Sequence, residues 1–521
     1  MSKHLQMYGF WPSPITTDWL AGGLRLQDVQ WGGETLLWLE GRGAHSVIVA
    51  QTGTDAPRDL TDADQSVRGR VGYGGGAFTA DSTHVYFAGV GGRLYRQPIS
   101  GGPAHAITPA FGAAASPRLS AGGEWLVYVH HAEGVDGLAL VDAAGDHWPR
   151  KLAYGTDFVM QPAWHPSGSQ IAYVAWDHPQ MPWDGSELRL ATLTPGSAGF
   201  PTVESIVTIA GDADTAVFQP EFSPDGRFLS YISDASGWSQ LYLYDLAAGT
   251  HQQIIDERAE HGIPAWVQGL RRYGWTPDSR ALIYLRSAHG ETQVWRYDLR
   301  DQAASPISAF DAYTHIEQIS VGANQPDIAA LVSASRVAPR VVSHTLAAAP
   351  DAPMTLTPAA ESSITVLVTE DAPPRVHQRS MNDNIAADQL AQGEAITWTG
   401  HDGEPVHGIY FPPTSPDVAG LGAPPLIVSV HGGPTNHAVL RWRPEAQFYA
   451  TRGWAFLMVN YRGSTGYGKA YKDKLRGAWG VYDVEDSASG ARHLAEQGLA
   501  DPNKFVILGG SAGGYTVLQA L

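Results

Sequence analysis

Phe505-Val506-Ile507-Leu508 runs straight into Gly509-Gly510-Ser511-Ala512-Gly513-Gly514, a short apolar strand followed by a serine set among residues that lack bulk. A serine on a tight strand-to-helix turn occupies strained backbone, and only small neighbours avoid a clash there. Gly509 and Gly513 supply that room, with Gly510 and Gly514 completing the elbow. Such a serine can act as a nucleophile toward a carbonyl carbon, and the Ala512 N–H at the start of the next helix can face the charge that develops on the carbonyl oxygen. A second group of small residues, His431-Gly432-Gly433-Pro434, follows another apolar run, Pro425-Leu426-Ile427-Val428-Ser429-Val430. Glycine after a strand lets the N–H of Gly433, or of Gly432, turn toward the point that Ala512 addresses, and two donors make an oxyanion hole. His431 reads as an organiser of this loop rather than as a base, because in such a fold the chain order is serine, acid, histidine. Glycine makes up 58 of 521 residues, so either motif alone can arise in an ordinary loop. The elements around them decide.

Those elements alternate between strand and helix, the pattern of a parallel sheet wrapped by helices. Pro425 to Val430 predicts a buried strand, Glu445 to Arg452 a short helix and Trp454 to Asn460 a second strand. A longer helix from about Tyr482 to Gln497 stops at Gly498, and Pro502 bounds the loop before the strand at Phe505. Asp483, Glu485 and Asp486 fall in the first turn of that helix, where carboxylates favour the dipole, and read as helix-start residues.

Three motifs in this order carry a family resemblance: His431-Gly432-Gly433-Pro434, then Asn460-Tyr461-Arg462-Gly463-Ser464-Thr465-Gly466-Tyr467-Gly468, then Gly510-Ser511-Ala512-Gly513-Gly514-Tyr515. Together they resemble the prolyl oligopeptidase family of serine peptidases, in particular its acylaminoacyl-peptidase and bacterial dipeptidyl-aminopeptidase branch. The opening Tyr8-Gly9-Phe10-Trp11-Pro12-Ser13-Pro14-Ile15 is similar to the start of that branch. The resemblance implies Ser511 as catalytic nucleophile, an α/β-hydrolase domain, and an amino-terminal β-propeller that restricts access to small or flexible substrates.

A propeller is also legible in the residues themselves. An aromatic or aliphatic residue leads into a turn and then an alternating strand in Glu221-Phe222-Ser223-Pro224-Asp225-Gly226-Arg227-Phe228 and in Gly274-Trp275-Thr276-Pro277-Asp278-Ser279-Arg280-Ala281. Ala163-Trp164-His165-Pro166-Ser167-Gly168 opens a third copy, and weaker ones lead from Trp31, Phe78, Leu119 and Ile319. The seven starts are separated by 47, 41, 45, 58, 53 and 44 residues, close to the period of four-stranded blades, so seven blades are predicted. The domains read as an N-terminal extension (1–28), a seven-bladed β-propeller plus linker (29–392) and the N-terminal part of an α/β-hydrolase domain (393–521). The Ala-, Pro-, Thr- and Asp-rich stretch from about Pro350 to Gln392 is assigned to the last propeller strands and the linker.

Composition limits the partners. Fifty-two acidic against 34 basic residues give a formal charge of −18, which disfavours nucleic acid and anionic membranes but not a neutral or cationic peptide. Cysteine is absent, no apolar run approaches the ~20 residues needed to span a bilayer, and the polar start Met1-Ser2-Lys3-His4 lacks a signal-peptide core, so a cytoplasmic protein is expected. No cofactor or metal is expected: the 20 histidines form no His-Glu-x-x-His spacing, and Gly72-Tyr73-Gly74-Gly75-Gly76-Ala77 matches a dinucleotide fingerprint by letters without the helix that must follow it.

Three departures from the family qualify the expected function. In relatives the acid and histidine of the triad follow the nucleophile, whereas this sequence ends at Leu521. The expectation is therefore a chain cut short by roughly a hundred residues or more, inactive by itself, with its edge strand at Phe505 exposed. The sequence also has no Glu-Glu pair, which some relatives use to hold a substrate amino terminus, and Gly72 stands where many closer relatives have glutamate before Tyr-Gly-Gly-Gly. The reading is a serine peptidase that cleaves short peptides through an acyl-enzyme on Ser511; a carboxylesterase of the same fold and a non-catalytic propeller scaffold are the alternatives. It leaves room for a homo-oligomer.

Overall fold

A computed structural model describes residues 3–196, 199–346 and 372–521. Much of the stretch assigned to the linker, residues 347–371, lies outside the described residues.

Seven four-stranded antiparallel sheets follow one another along the chain, from Arg25–Gly32 as the first strand of blade 1 to Arg375–Arg379 as the last of blade 7. First strands of neighbouring blades pack against each other around most of the ring, so they surround the axis. Trp31, Phe78, Leu119, Trp164, Phe222, Trp275 and Ile319 fall one in each of these seven first strands. The repeat seen in sequence is thus the hairpin from first to second strand.

Its turn has a mechanism. In blade 5, Ser223 Oγ donates to Asp225 Oδ1 at 2.6 Å, that oxygen accepts from Arg227 N, Phe228 N donates to Ser223 Oγ, and Gly226 takes φ 75°. Blade 6 repeats the arrangement with Thr276, Asp278 and Ala281. Each turn satisfies its own backbone groups with a side chain, which is why hydroxyl-Pro-Asp recurs.

The first blade strand begins at Arg25, inside the 1–28 stretch assigned to an N-terminal extension. A bulge between Leu26 and Asp28 breaks the two-residue alternation there and hides the strand's start. Residues before it dock on the second domain: His4–Gln6 pairs in parallel with Val418–Gly420, and Ile15 is buried with Trp442, Ala338 and Leu390. The ring closes between blades 1 and 7 without an exchanged strand. Leu26, Trp38, Leu331 and Val341 share a core there, and Asp28 accepts hydrogen bonds from Arg271 at 2.5 Å and Gln318 at 2.7 Å.

The second domain is built on a five-stranded sheet of β1 (Glu394–Thr399), β2 (Pro405–Phe411), β3 (Leu426–Val430), β4 (Ala455–Asn460) and β5 (Phe505–Gly509), in the order β1-β2-β4-β3-β5. The first two pairings are antiparallel and the last two parallel. Helices α1 (Pro444–Ala450), α2 (Tyr482–Glu496) and α3 (Ala512–Ala520) flank it. Trp398 of β1 anchors α2 by donating its indole N–H to Ser489 Oγ at 3.0 Å, and Gly490 lets the helix approach that ring and Leu457. Strand β5 stands at one edge of the sheet, paired with β3 alone, with Phe505 40% and Val506 44% exposed.

Candidate active site

Strands β3 and β5 are parallel neighbours whose last residues, Val430 and Gly509, are register partners. Both loops therefore leave the sheet at one level, at its carboxyl edge, where open α/β sheets form their crevices. This places His431-Gly432-Gly433-Pro434 against the serine turn: a Cβ added at Gly432 would stand 2.8 Å from Gly510 O and 3.1 Å from Ser511 Cβ. Ser511 itself takes φ 54° and ψ −124°, a left-handed conformation for a residue with a side chain, and α3 starts directly after it. Strain of this kind persists only where surroundings hold it.

The four elbow glycines are not equivalent. A Cβ on Gly509 would lie 2.5 Å from Gly513 O, and one on Gly513 would lie 2.2 Å from Val430 O. Gly510 has nothing within 4 Å, and Gly514 would make only an ordinary contact at 3.6 Å. Steric necessity thus belongs to Gly509 and Gly513, which pack the turn and α3 onto β3; the elbow assignment of Gly510 and Gly514 has no steric basis.

Gly433 takes φ 129°, open to glycine but strained for other residues. Among the described residues neither the Gly433 nor the Ala512 amide donates to another group. His431 is held in place by its own loop. Its Nδ1 meets Gly432 O at 2.9 Å, its Nε2 meets Ser464 Oγ at 2.9 Å, and the ring stacks on Tyr461 with centroids 4.6 Å apart. Burial pushes its pKa down to about 4, so the ring is neutral at pH 7. His437, bonded to Thr465 Oγ1 at 2.8 Å, is pushed down to about 3 by burial, with the neighbouring charges of His431 and three arginines adding to the effect.

These histidines titrate near 6.5 when unfolded. Between about pH 6.5 and pH 4 the unfolded chain binds the extra protons, so stability falls as pH falls through that window. Thermal melts should show a steady loss of Tm from pH 7 to pH 5, and His431→Gln should flatten that slope; an unchanged slope in the variant would remove His431 from the account.

The Asn460-to-Gly468 motif braces this loop. Asn460 Oδ1 accepts from Ala438 N at 2.6 Å and its Nδ2 donates to Ala438 O at 2.9 Å, while Thr465 N donates to Asn436 O. Arg462 and Asp486 form an ion pair at 2.6 Å with both side chains fully buried, and Arg462 also reaches Asp402. Asp483 Oδ2 accepts from Thr516 Oγ1 at 2.6 Å, tying α3 to α2. Asp483 and Glu485 do lie in the first turn of α2, as the sequence reads, and Asp483 and Asp486 also face inward. Their signal was available: Asp483, Asp486, Gly490, Ala491 and Leu494 lie on one buried stripe of α2 at helical spacing.

The propeller lies over the site. Trp266 Nε1 donates to Thr435 O at 2.8 Å, Lys469 pairs with Asp234 at 3.0 Å, Lys472 with Asp184 at 3.2 Å, and Gly468 N donates to Glu260 at 3.0 Å. A cavity of about 70 Å³ between the domains is lined by Trp183, Trp238, Glu260, His437 and Lys469, among others. Among the described residues no group of three or more His, Asp or Glu side chains is placed to hold a metal, and none of the hydrogen bonds joins the Ser511 hydroxyl to a histidine or carboxylate.

Comparison with known proteins identifies the assembly. The family model described as prolyl oligopeptidase family matches residues 440–521, and that described as TolB β-propeller domain matches 136–347. A puromycin-hydrolyzing peptidase of Mycobacterium tuberculosis superposes with a TM-score of 0.87 at 28% identity, covering 99% of this chain and 78% of that one. Residues 440–521 thus match the prolyl oligopeptidase family, and the chain as a whole is similar in fold to a peptidase.

Among the curated relatives, the acylamino-acid-releasing enzyme of Homo sapiens is 23% identical over 367 residues, 68% of this chain and 47% of that protein. Dipeptidyl aminopeptidase BIII of Pseudoxanthomonas mexicana is 37% identical over 97 residues, 19% of this chain and 14% of its own length. The chain spans less than half the length of such curated relatives. No helix among the described residues is long and apolar enough to cross a membrane.

Proposed function

We propose that this chain carries the nucleophile, the oxyanion hole and the substrate-covering propeller of a serine peptidase that cleaves short peptides. Ser511 attacks the scissile carbonyl carbon, its proton passes to a base, the carbonyl oxygen becomes an oxyanion, and collapse expels the amine to leave an acyl-serine that water hydrolyses. Gly433 and Ala512 amides stabilise the oxyanion, and Gly432 lets their loop approach. The observation that carries this reading is the convergence of Gly432 and Ser511 at the ends of register-paired strands. The relatives include proteins named as acylamino-acid-releasing enzymes, a dipeptidyl aminopeptidase and puromycin hydrolases, and each of these names supports cleavage next to a small acyl or aminoacyl group. A net charge of −18 favours peptide over nucleic-acid ligands. A cytoplasmic location, where this cysteine-free chain needs no disulfide, belongs to the same reading.

A neutral serine hydroxyl is a poor nucleophile without a base. We expect the 521-residue chain to be unactivated by itself and the native polypeptide containing it to be active. Intact-mass spectrometry after fluorophosphonate treatment tests both. One adduct on the native polypeptide, absent in Ser511→Ala, with none on the 521-residue chain, is the expected result. An unlabelled native polypeptide would overturn the peptidase reading, and a labelled 521-residue chain would show that a base reaches Ser511 from within it.

A further inference from the structure

The propeller presents three aromatic rings beside the candidate oxyanion loop. Trp266 lies between blades 5 and 6, and its indole N–H is taken by the Thr435 carbonyl, two residues beyond Gly433. Trp183, from a connecting loop of blade 4, packs on it with ring centroids 4.3 Å apart. Tyr73, from the segment between blades 1 and 2, meets it edge-on at 5.4 Å and 73°.

Core packing does not account for the third ring, because Tyr73 is 75% exposed. Its support is nonetheless rigid. Gly72, Gly74, Gly75 and Gly76 take φ of 55°, 94°, 82° and 55°, a run that only glycine holds without strain. Gln268 N donates to Gly74 O at 2.8 Å, and the Gln268 side chain is fixed by Ser116 Oγ at 3.0 Å and Val159 O at 3.1 Å, so blades 3 and 4 clamp the two segments together. A Cβ on Gly75 would lie 2.3 Å from Gln268 O. The fold thus holds an exposed tyrosine in a fixed place, one ring away from a tryptophan bonded to the oxyanion loop.

We propose that Tyr73, Trp266 and Trp183 form a subsite for an aromatic side chain of the peptide substrate, beside the bond whose carbonyl enters the Gly433–Ala512 hole. The proposal rests on the peptidase reading. With its N–H engaged, Trp266 offers only ring surface, and Tyr73 adds a second ring, so the site selects by stacking and edge-to-face contact rather than by hydrogen bonding. Aromatic pairs add about 0.5–1.5 kcal/mol beyond burial of area, a selectivity of up to about tenfold per ring. A cationic side chain is also drawn to ring faces, so substrate choice must separate the two.

The test uses the native polypeptide and short peptides that differ only in Phe, Ala or Lys beside the scissile bond. Tyr73→Ala, at an exposed position that leaves the core intact, should raise KM for the Phe peptide about five- to tenfold with kcat within about twofold, and leave the Ala peptide unchanged. Equal effects on all three peptides, or a larger effect on the Lys peptide, would overturn the aromatic subsite while leaving the peptidase reading standing. A second readout is quenching of tryptophan fluorescence by N-acetyl-phenylalaninamide, compared between the unaltered protein and Tyr73→Ala. Ligand binding weakened by Tyr73→Ala in a protein that cleaves no peptide would sustain the subsite and sink the peptidase reading, whereas binding indifferent to Tyr73→Ala would sink the subsite.

Discussion

Asp486→Ala should remove about 3–5 kcal/mol from the stability of the hydrolase domain, the range for breaking one side of a buried ion pair. Asp486 accepts from Arg462 Nη2 at 2.6 Å and from the Arg462 backbone N at 2.8 Å, with both side chains fully buried. Burial pushes the Asp486 carboxyl up, and the Arg462 hydrogen bonds work against that rise. Without the aspartate, the guanidinium keeps Asp402 and the Tyr482 ring, 4.1 Å below it, but loses its buried counter-charge and the brace on its own backbone. Arg462 follows Tyr461, whose ring carries His431, so loosening this joint also loosens the Gly432–Gly433 loop. Equilibrium urea unfolding, following the transition of the five-stranded sheet, measures the loss. Arg462→Met combined with Asp486→Leu should recover much of it, because matched apolar replacement of a buried pair is often near neutral. A loss under about 1 kcal/mol for Asp486→Ala would place the pair among weakly contributing ones.

What the sequence disclosed and what it withheld follow from the range of the interactions involved. The blade repeat was legible because the strongest hairpin turns are closed locally by a hydroxyl and an aspartate, as in Ser223-Pro224-Asp225-Gly226 and Thr276-Pro277-Asp278, and the weaker copies recur at the same period. The two loops of the candidate site were legible because each follows its own apolar strand, and their meeting follows from the parallel register of Val430 with Gly509. Long-range placements were not. Nothing local in His4–Gln6 shows that it pairs with Val418–Gly420, and the bulge at Leu26 masks the start of blade 1. Asp483 and Asp486 have the composition of a solvated helix start, and only the helical register they share with Gly490 and Leu494 marks them as inward. Likewise Tyr73 sits in a segment whose letters suggested a nucleotide loop; its partner Trp266 lies 193 residues on and is brought to it by the ring closure of the propeller.

On the proposed peptidase reading, Gly513→Ala should lower kcat of the native polypeptide by about 100-fold, while Gly514→Ala, one residue away, should leave it within about twofold. Sequence treats the two glycines alike; the packing does not. A methyl group on Gly513 would stand 2.2 Å from Val430 O and 3.0 Å from His431 O, both backbone atoms of β3 and its loop, so neither can rotate aside. Relief requires α3 to move off β3 by about 1 Å, which carries Ser511 and the Ala512 amide away from Gly433, and a shift of that size at a reacting centre costs about two orders of magnitude in rate. A methyl on Gly514 would meet Gly509 O at an ordinary 3.6 Å. Replacing glycine by alanine within a helix also gains about 0.5–1 kcal/mol, so this variant should melt no lower than the unaltered protein. Thermal melts of the 521-residue chain read the packing half of the prediction, and steady-state kinetics of the native polypeptide read the other. Because the displacement acts on the amides of the proposed oxyanion hole, the loss should fall on kcat more than on KM. If Gly513→Ala and Gly514→Ala proved equally active, α3 would have freedom to shift without disturbing the hole, and the rigid seating of Ser511 against β3 would no longer explain the site.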